Sequence, residues 1–243
     1  RYQLVLLFSD RGEFTEASIH ANEVVRIAEM VNHPYNLYTA YFAVGCMHLR
    51  KGAIDKAIAA LERSLELCRS WDIQQNTSRV ATALGNAYAA TGRVGEALPV
   101  LDLAKNRVRL SFLRGQLAQG YLLIGKLEEA ASLAVRALDF SQRHAERGNE
   151  ARALYVLGEI ASYEDSLNVD RAVAHYQQAM ALAEELRMRP LLAHCHAGLG
   201  KLYGKTGKLQ QAKAYLNSGV AMMCEMEMGL WLEKAQTELK ELQ

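Results

Sequence analysis

The chain has 243 residues, half of them hydrophobic, and its 28 basic residues nearly balance its 27 acidic residues. That balance argues against nucleic acid as the main partner, because binding to phosphates needs a concentrated basic surface. No apolar run approaches the roughly 18 residues that a membrane span needs, and the N-terminal YQLVLLF lacks the basic start and cleavage site of a signal peptide.

The composition predicts an almost entirely helical protein. Prolines number only three, Ala, Leu and Glu are abundant, and no segment shows the sustained alternation of a β-strand. The cysteines are far apart and form no C-x-x-C pair, so they are expected to be reduced, mostly buried residues of a cytoplasmic protein. They are Cys46, Cys68, Cys195 and Cys224. Because the chain lacks an initiator Met and begins within a predicted helix, we expect it to be a piece of a longer protein.

Similar segments recur along the chain, each with an apolar–small pair, a large residue, a Gly, an apolar residue and an Ala. They begin at Ala43 (AVGCMHLRKGAIDKAIAALERSL), Ala83 (ALGNAYAATGRVGEALPVLDLA), Gln116 (QLAQGYLLIGKLEEAASLAVRAL) and Gly198 (GLGKLYGKTGKLQQAKAYLNSG). A further segment, from Asn149, keeps Leu157-Gly158 but lacks the later glycine. The recurrence predicts one helical hairpin per segment.

Two sets of small residues define the period of the repeat. The glycines expected at the turns are Gly12, Gly52, Gly92, Gly125 and Gly207. The small residues that follow them are Ala17, Ala57, Ala97, Ala130, Ala172 and Ala212, with steps of 40, 40, 33, 42 and 40 residues. Such a period is typical of solenoids. The one short step predicts a local change of curvature near residues 105–115.

The physical basis of each unit is a pair of helices that cannot cover its own apolar face, so neighbouring units must stack. Glycine at the turn adopts a positive φ and ends the first helix, and Ala on the second helix lets two backbones pack closely. The expected units are roughly 1–33, 34–73, 74–108, 109–147, 148–188 and 189–228, all in a single domain. Pro99 is expected near the start of its second helix, where its missing N–H costs little.

The last segment, 229–243, is expected to be a capping helix. Its apolar stripe is formed by Leu230, Trp231, Ala235, Leu239 and Leu242, and its other faces are polar. The methionines just before it are expected to fill the core beneath this helix, with an adaptable binding surface as the alternative. They are Met222, Met223, Met226 and Met228.

The segment GLGKLYGKTGK, residues 198–208, resembles the end of a phosphate-binding P-loop. A P-loop needs a glycine five residues before its Gly-Lys pair, but Leu199 stands five residues before Gly204. The apolar residues around it also recur at helical steps of three and four, whereas a P-loop follows a buried strand. We therefore interpret residues 204–207 as a turn between paired helices.

The Leu-Gly, Tyr, Gly, Ala and Tyr/Leu–Ala spacing resembles the tetratricopeptide repeat, in a lengthened version of about forty residues. The resemblance covers essentially the whole chain and implies an all-α, right-handed α-α superhelix of about six helix pairs plus a C-terminal capping helix. The last sixty or so residues also resemble the repeat regions of large bacterial signalling proteins. Those proteins combine such arrays with an ATPase module and either a nucleotide cyclase or a DNA-binding helix-turn-helix.

No segment predicts an enzyme, a metal site or a cofactor. Consecutive helical residues point about 100° apart, so the side chains of His194, Cys195 and His196 are not expected to converge on one ion. Cys46 and Cys195 have histidines nearby in sequence but no organised base or oxyanion feature, so they are interpreted as packed thiols. Acidic pairs such as Glu128-Glu129 are interpreted as solvated faces.

The resemblance implies that the first helices line a concave groove that accepts a protein or peptide. Asn86 matches an asparagine with which family members often hold a peptide backbone, whereas Thr82 replaces the lysine of the family's carboxylate clamp. The resemblance assigns these groove residues: Arg79, Thr82, Asn86, Phe112, Gln119, Arg152, Tyr155, Glu159, Tyr163, His194, Lys201 and Lys205.

The predicted function is therefore a non-catalytic docking scaffold or regulatory module without direct contact to nucleic acid or membrane. The alternative is a sensor whose groove binds a small molecule or a signalling peptide and regulates an attached domain. An open groove would favour the scaffold, and a compact apolar pocket with convergent polar groups would favour the sensor. A homodimer stays open as an alternative.

Overall fold

The computed structural model describes residues 1–105, 111–163 and 169–242, and the side chains of Gln75, Ser111 and Phe112 also lie outside that description. The described residues form helices and turns without a strand. The helices are α1 Tyr2–Arg11, α2 Phe14–Val31, α3 Pro34–Lys51, α4 Ile54–Ser70, α5 Gln74–Ala90, α6 Val94–Lys105, α7 Ser111–Leu123, α8 Leu127–Arg143, α9 Arg147–Ala161, α10 Val169–Glu185, α11 Arg189–Lys205, α12 Leu209–Glu225 and α13 Gly229–Glu241.

Odd-numbered and even-numbered helices pair in sequence and stack into a right-handed α-α superhelix, which confirms the predicted fold. In five hairpins the turn contains a glycine in the left-handed region, with φ between 75° and 80°. These glycines are Gly12, Gly52, Gly92, Gly125 and Gly207. Residues 204–207 thus end α11 and form the turn before α12, as predicted.

Turns between successive hairpins contain a different set of left-handed residues. They have φ between 49° and 56° and are not glycines: Asn32, Asp72, Ala145, Arg187 and Glu227. Because left-handed backbone is unfavourable for most L-residues, stacking of the flanking helices must hold these turns in place. The repeat therefore contains two kinds of turn, of which only the glycine kind is evident from the sequence.

Close contact between the paired helices depends on small residues on both sides. A Cβ placed on Gly45 would lie 2.5 Å from Leu61 Cγ, and one placed on Gly200 would lie 2.5 Å from Leu216 Cγ. On the second helices Ala57 and Ala212 are fully buried at these crossings. The predicted use of glycine and alanine for close backbone approach is therefore confirmed.

The two ends of the superhelix contact each other. The Trp231 indole N–H on α13 donates to the Leu49 carbonyl at 3.0 Å, and the Leu230 backbone N–H donates to the Gly52 carbonyl at 3.2 Å. Lys234 Nζ donates to the Ala90 carbonyl at 2.8 Å. An open solenoid has contacts mainly between neighbouring units, whereas here the last helix also binds α3 and α5. We call these three hydrogen bonds the ring-closing contacts.

A hydrophobic cluster extends this closure. Met223, Met226 and Met228 are at most 4% exposed and pack in one cluster with Val5 of α1 and Phe14 of α2. The predicted core role is confirmed for these three methionines, whereas Met222 is only partly buried against the cluster. The cluster joins the first hairpin to the last, in addition to lying beneath the capping helix.

The structure corrects the prediction for Pro99. It lies in the interior of α6, five residues after the first helical residue Val94, rather than near the helix start. Because proline has no backbone N–H, the Gly95 carbonyl loses the hydrogen bond that it would otherwise accept from residue 99.

The predicted change of curvature near residues 105–115 lies largely outside the described residues and stays a prediction. No helix among the described residues is long and apolar enough to cross a bilayer.

Candidate functional site

The concave side of the superhelix encloses a cavity of about 130 Å³. Residues of α1, α3, α5, α7, α9, α11 and α13 line it, so every first helix and the terminal helix contribute to one space. We call this space the central cavity. Its position follows from the repeat, since the first helix of each pair faces inward, and from the ring-closing contacts, which bring α13 to its wall.

A cluster of three charges forms one side of the central cavity. Asp10 Oδ1 lies 2.8 Å from Arg50 Nε and 2.6 Å from Arg152 Nη2. The three side chains are between 22% and 29% exposed. Burial alone would raise the pKa of Asp10, but the two guanidinium groups outweigh burial and hold this pKa below its ordinary value. The carboxylate therefore stays ionised and orients both arginines.

Amide side chains form a second polar group. The Asn86 Nδ2 donates to the Gln116 backbone carbonyl at 3.0 Å, which fixes the orientation of the Asn86 amide. Asn86 is only 7% exposed, and its Oδ1 has no hydrogen-bond partner in the structure. The side-chain Oε1 of Gln116 is likewise buried without a partner. The Asn86 oxygen is packed against α7, since a Cβ on Gly120 would lie 2.4 Å from it, so the Asn86 amide serves the contact between α5 and α7.

Aromatic rings form the opposite wall. The His194 ring lies 6.0 Å from the Tyr155 ring and 5.3 Å from the Trp231 ring, between centroids. Burial lowers the pKa of His194 to about 4, so its imidazole is neutral at pH 7. The remaining wall is mostly aliphatic and includes Leu49 and Leu191. The cavity thus combines an apolar body with two polar groups, as ligand sites generally do.

Five of the residues that the sequence assigned to the groove line the central cavity. They are Asn86, Gln119, Arg152, Tyr155 and His194. They lie on the first helices of four successive hairpins, and their positions in the repeat predicted that all of them face the concave side. The structure brings them together around one cavity.

Three further assigned residues lie on α5 and α7. The Arg79 guanidinium stacks over the Phe42 ring at 4.7 Å from its centroid. Thr82 is fully buried, its hydroxyl donates to the Ser78 carbonyl at 2.8 Å, and it does not line the cavity. The side chain of Phe112 lies outside the described residues.

The other four assigned residues form a separate group near the end of α9 and along α11. Glu159 accepts a 2.5 Å hydrogen bond from the Tyr176 hydroxyl, and burial raises the pKa of Glu159. Lys205 Nζ lies 5.0 Å from the Tyr163 ring centroid, and Lys201 Nζ lies 2.7 Å from Glu238. These side chains therefore contact other residues of the protein, and none of the four lines the central cavity.

The His194–His196 segment separates as consecutive helical positions require. His194 faces the central cavity, Cys195 is fully buried in the core, and His196 lies 5.7 Å from the Tyr215 ring. Burial raises the pKa of the Cys46 and Cys195 thiols, which disfavours the reactive thiolate. Within the described residues, no group of His, Cys, Asp and Glu has the geometry of a metal site.

Sequence reasoning missed the residues that complete the cavity. These include Asp10, Arg50 and Gln116, together with Trp231, which the sequence assigned only to the apolar stripe of the cap. Gln116 lies three residues before Gln119, which is one turn of the same helix, so register could have found it. Asp10 and Trp231 reach the site because the ring closes, and no local pattern encodes that closure.

Two family models, both described as Tetratricopeptide repeat, match this chain over residues 161–225 and 38–70. Together with the stacked hairpins, these matches show that two parts of the chain are similar to tetratricopeptide repeats, which generally serve as protein-interaction scaffolds. The predicted resemblance is thus confirmed.

Among curated proteins, the chain is 22% identical over 263 aligned positions to Protein KINESIN LIGHT CHAIN-RELATED 1 of Arabidopsis thaliana. The alignment covers 98% of this chain but only 42% of that relative's length. Among solved structures, a Rap protein complexed with Competence and Sporulation Factor is similar with a TM-score of 0.66 at 17% identity, over 98% of this chain and 74% of that one. A STAND ATPase with a tetratricopeptide repeat sensor, from Pyrococcus horikoshii, gives 0.54 at 15% identity, over 93% and 36%. These likenesses concern the fold.

Proposed function

We propose that this chain is a non-catalytic regulatory module that binds a short peptide ligand in the central cavity. The observation that carries the proposal is the convergence of seven helices on one small, largely apolar space with the charged cluster of Asp10, Arg50 and Arg152 on one side. A compact pocket of this kind favours the sensor over a scaffold with an open groove. The larger protein-docking role of the concave face remains the broader alternative.

The similar structures support this proposal by analogy of fold. The Rap protein is complexed with Competence and Sporulation Factor, and the repeats of the Pyrococcus protein are described as a sensor. In each case the repeat array lies in a longer chain, of which this chain covers 74% and 36% respectively. By this analogy the module would regulate an attached ATPase, cyclase or DNA-binding domain.

The mechanism that we propose uses the closed ring. Trp231 belongs to the cavity wall and also donates the hydrogen bond to Leu49 that joins α13 to α3. A ligand in contact with Trp231 would therefore favour one position of α13 over another. Since a ligand shifts a conformational equilibrium only by its differential affinity, this shared residue supplies the required coupling between occupancy and helix position.

Equilibrium dialysis against a pool of random pentapeptides, half with free and half with amidated carboxyl ends, tests the proposal. We expect mass spectrometry to identify a subset retained by the chain. Leu123→Phe, which places a ring at the cavity wall, should abolish retention, whereas Val135→Phe on the exposed face of α8 should not. If no peptide is retained, or if Leu123→Phe retains the same peptides, the central cavity is not the peptide site.

A further inference from the structure

The turn between α12 and α13 lies against two glycine turns from the opposite end of the superhelix. A Cβ placed on Gly12 would collide with the Met226 Sδ, so this sulfur packs directly on the turn between α1 and α2. A Cβ placed on Gly52 would lie 3.2 Å from the Met228 carbonyl oxygen, so Met228 lies on the turn between α3 and α4. We call the contact of Met226 and Met228 with these two turns the seam.

Methionine sulfurs are concentrated at the seam. Of the eight methionines in the chain, four lie in the short segment 222–228. A fifth, Met47 of α3, packs in the same hydrophobic cluster. Leucine conserves the volume of methionine and is well tolerated in its place, so packing alone does not require sulfur at these positions. The property that leucine lacks is the reversible oxidation of the thioether to a sulfoxide.

The surroundings of the two seam sulfurs are apolar and closely packed. Met226 is 4% exposed and Met228 is fully buried. Their cluster consists of hydrophobic side chains, which include Val5 of α1 and Phe14 of α2. A sulfoxide is polar and accepts hydrogen bonds, so its burial among these side chains leaves an acceptor unsatisfied. Oxidation of a seam methionine therefore favours an open seam over a closed one.

An oxidant reaches the buried sulfurs when the seam opens transiently. Parts of a folded protein open locally at a lower free energy than global unfolding requires. Besides the ring-closing contacts, the seam has an ion pair at its surface, in which Lys51 Nζ lies 3.1 Å from Glu227 Oε2. Glu227 has a φ of 51°, which is unfavourable for an L-residue, and opening of the turn would release it from this conformation. A sulfoxide formed during such an opening then opposes closure.

We propose that Met226 and Met228 form an oxidation site through which a hydroperoxide opens the closed superhelix. A lone pair of the thioether sulfur attacks one oxygen of hydrogen peroxide, the O–O bond breaks, and the other oxygen leaves as water after proton transfer. The sulfur is oxidised by two electrons to the sulfoxide, and the peroxide is reduced. In the oxidised chain the seam is open, and Trp231 leaves the wall of the central cavity. The proposal does not depend on which ligand the cavity binds.

Treatment of the intact chain with hydrogen peroxide, followed by peptide mass mapping, tests the site itself. Met30 on α2 is 72% exposed and is the internal reference for an accessible methionine. We expect Met30 to oxidise first, and Met226 and Met228 to follow at a rate set by the opening of the seam. If both seam methionines stay reduced during prolonged treatment after Met30 has reacted completely, the proposal is wrong.

Hydrogen exchange of the Leu230 amide measures the structural consequence. This N–H donates to the Gly52 carbonyl at 3.2 Å, so its exchange reports the opening of the seam. Burial of one polar group without a partner shifts an equilibrium by about ten- to hundredfold, and we expect the exchange rate to rise by this factor in the oxidised chain. Methionine sulfoxide reductases should restore slow exchange. Unchanged exchange after oxidation of Met226 and Met228 would overturn the proposal.

Leucine variants assign the effect to the two seam sulfurs. Because leucine conserves volume, a chain with Met226→Leu and Met228→Leu should keep slow exchange of the Leu230 amide both before and after peroxide treatment. Met30→Leu is the matched control and should respond to peroxide as the unaltered chain does. Both variants retain the four cysteines and both tryptophans, so an equal response of the double variant would assign the effect to other residues and refute the proposal. If the double variant fails to fold, exchange of the unaltered chain before oxidation, after it and after reduction still decides the question.

Discussion

Trp231 and Leu49 are 182 residues apart in sequence, yet the indole N–H of one donates to the backbone carbonyl of the other at 3.0 Å. This bond joins the last helix to the third. It also places a ring of the terminal helix in the wall of the central cavity. The closure of the superhelix and the shape of its candidate site are therefore determined by the same residue.

Replacement of this residue provides a first prediction. Trp231→Phe keeps an aromatic ring but removes the indole N–H, so we expect the free energy of unfolding to fall by about 1 kcal/mol. Urea denaturation monitored by circular dichroism measures the change. Trp71→Phe is the control, because Trp71 is 63% exposed at a turn and its replacement should change stability little. An equal loss in both variants would contradict the assigned role of Trp231.

Removal of the terminal helix provides a second prediction. A chain that ends after Met228 lacks all three ring-closing contacts and the ring that covers the cavity. We expect its radius of gyration, measured by small-angle X-ray scattering, to increase as the ends of the superhelix separate. A chain that ends after Glu241 keeps α13 and is the control. An unchanged radius in the shorter chain would show that the methionine cluster closes the ring alone.

The packing of paired helices leads to a third prediction. A Cβ on Gly200 would lie 2.9 Å from the Leu216 backbone nitrogen and 3.1 Å from the Ala212 carbonyl oxygen, so Gly200→Ala forces α11 and α12 apart. We expect a loss of about 1–3 kcal/mol in the free energy of unfolding.

Gly95→Ala is the matched control for this experiment. Gly95 lies in α6, and a Cβ at this position would have no described atom within 4 Å, so alanine should stabilise the helix by about 0.5–1 kcal/mol. Chemical denaturation of both variants should therefore give changes of opposite sign. Changes of the same sign would refute the packing argument.

The neutral state of His194 gives a prediction of pH dependence. Burial lowers the pKa of His194 from 6.5 to about 4, so between these values the unfolded chain binds a proton that the folded chain does not. Stability should therefore decrease as the pH falls through this range, by up to about 3 kcal/mol from this residue.

The measurement compares the unaltered chain with His194→Gln. Because burial also lowers the pKa of His48, His175 and His196, the informative quantity is the difference between the two proteins at pH 7.5 and at pH 4.5. These values are about one unit above the ordinary histidine pKa and just above the shifted pKa of His194. The variant should lose less stability on acidification. If both proteins lose the same amount, His194 is not held neutral by the cavity.

Much of the fold could be predicted from the sequence because the hairpin is encoded locally. Turn glycines such as Gly52 and Gly207 and small residues such as Ala57 act on their nearest neighbours, and each recurs at a recognisable spacing. Pro99 is the exception. Its predicted place is near a helix start, whereas the structure places it inside α6, where packing of the helix tolerates the missing hydrogen bond.

The candidate site could be predicted only in part. The positions of Asn86, Arg152 and His194 within the repeat were sufficient to predict that their side chains face the concave side, because each helix sets that direction by itself. Closure of the ring depends on small rotations added over successive hairpins, and no single repeat encodes their sum. The contact between Asp10 of the first helix and Arg152 of the ninth was therefore not predictable from the sequence.

An array of repeats with free ends can lose its terminal units one at a time as it unfolds. In this chain the bond between Trp231 and Leu49 joins the last helix to α3, and the methionine cluster joins the first hairpin to the last, so separation of either terminal unit must break contacts with the opposite end. Native contacts of such long sequence separation slow folding and make loss of structure more nearly all-or-none. Amide hydrogen exchange in the first and last hairpins should then be as slow as in the middle of the array, and the protein should behave as one cooperative unit.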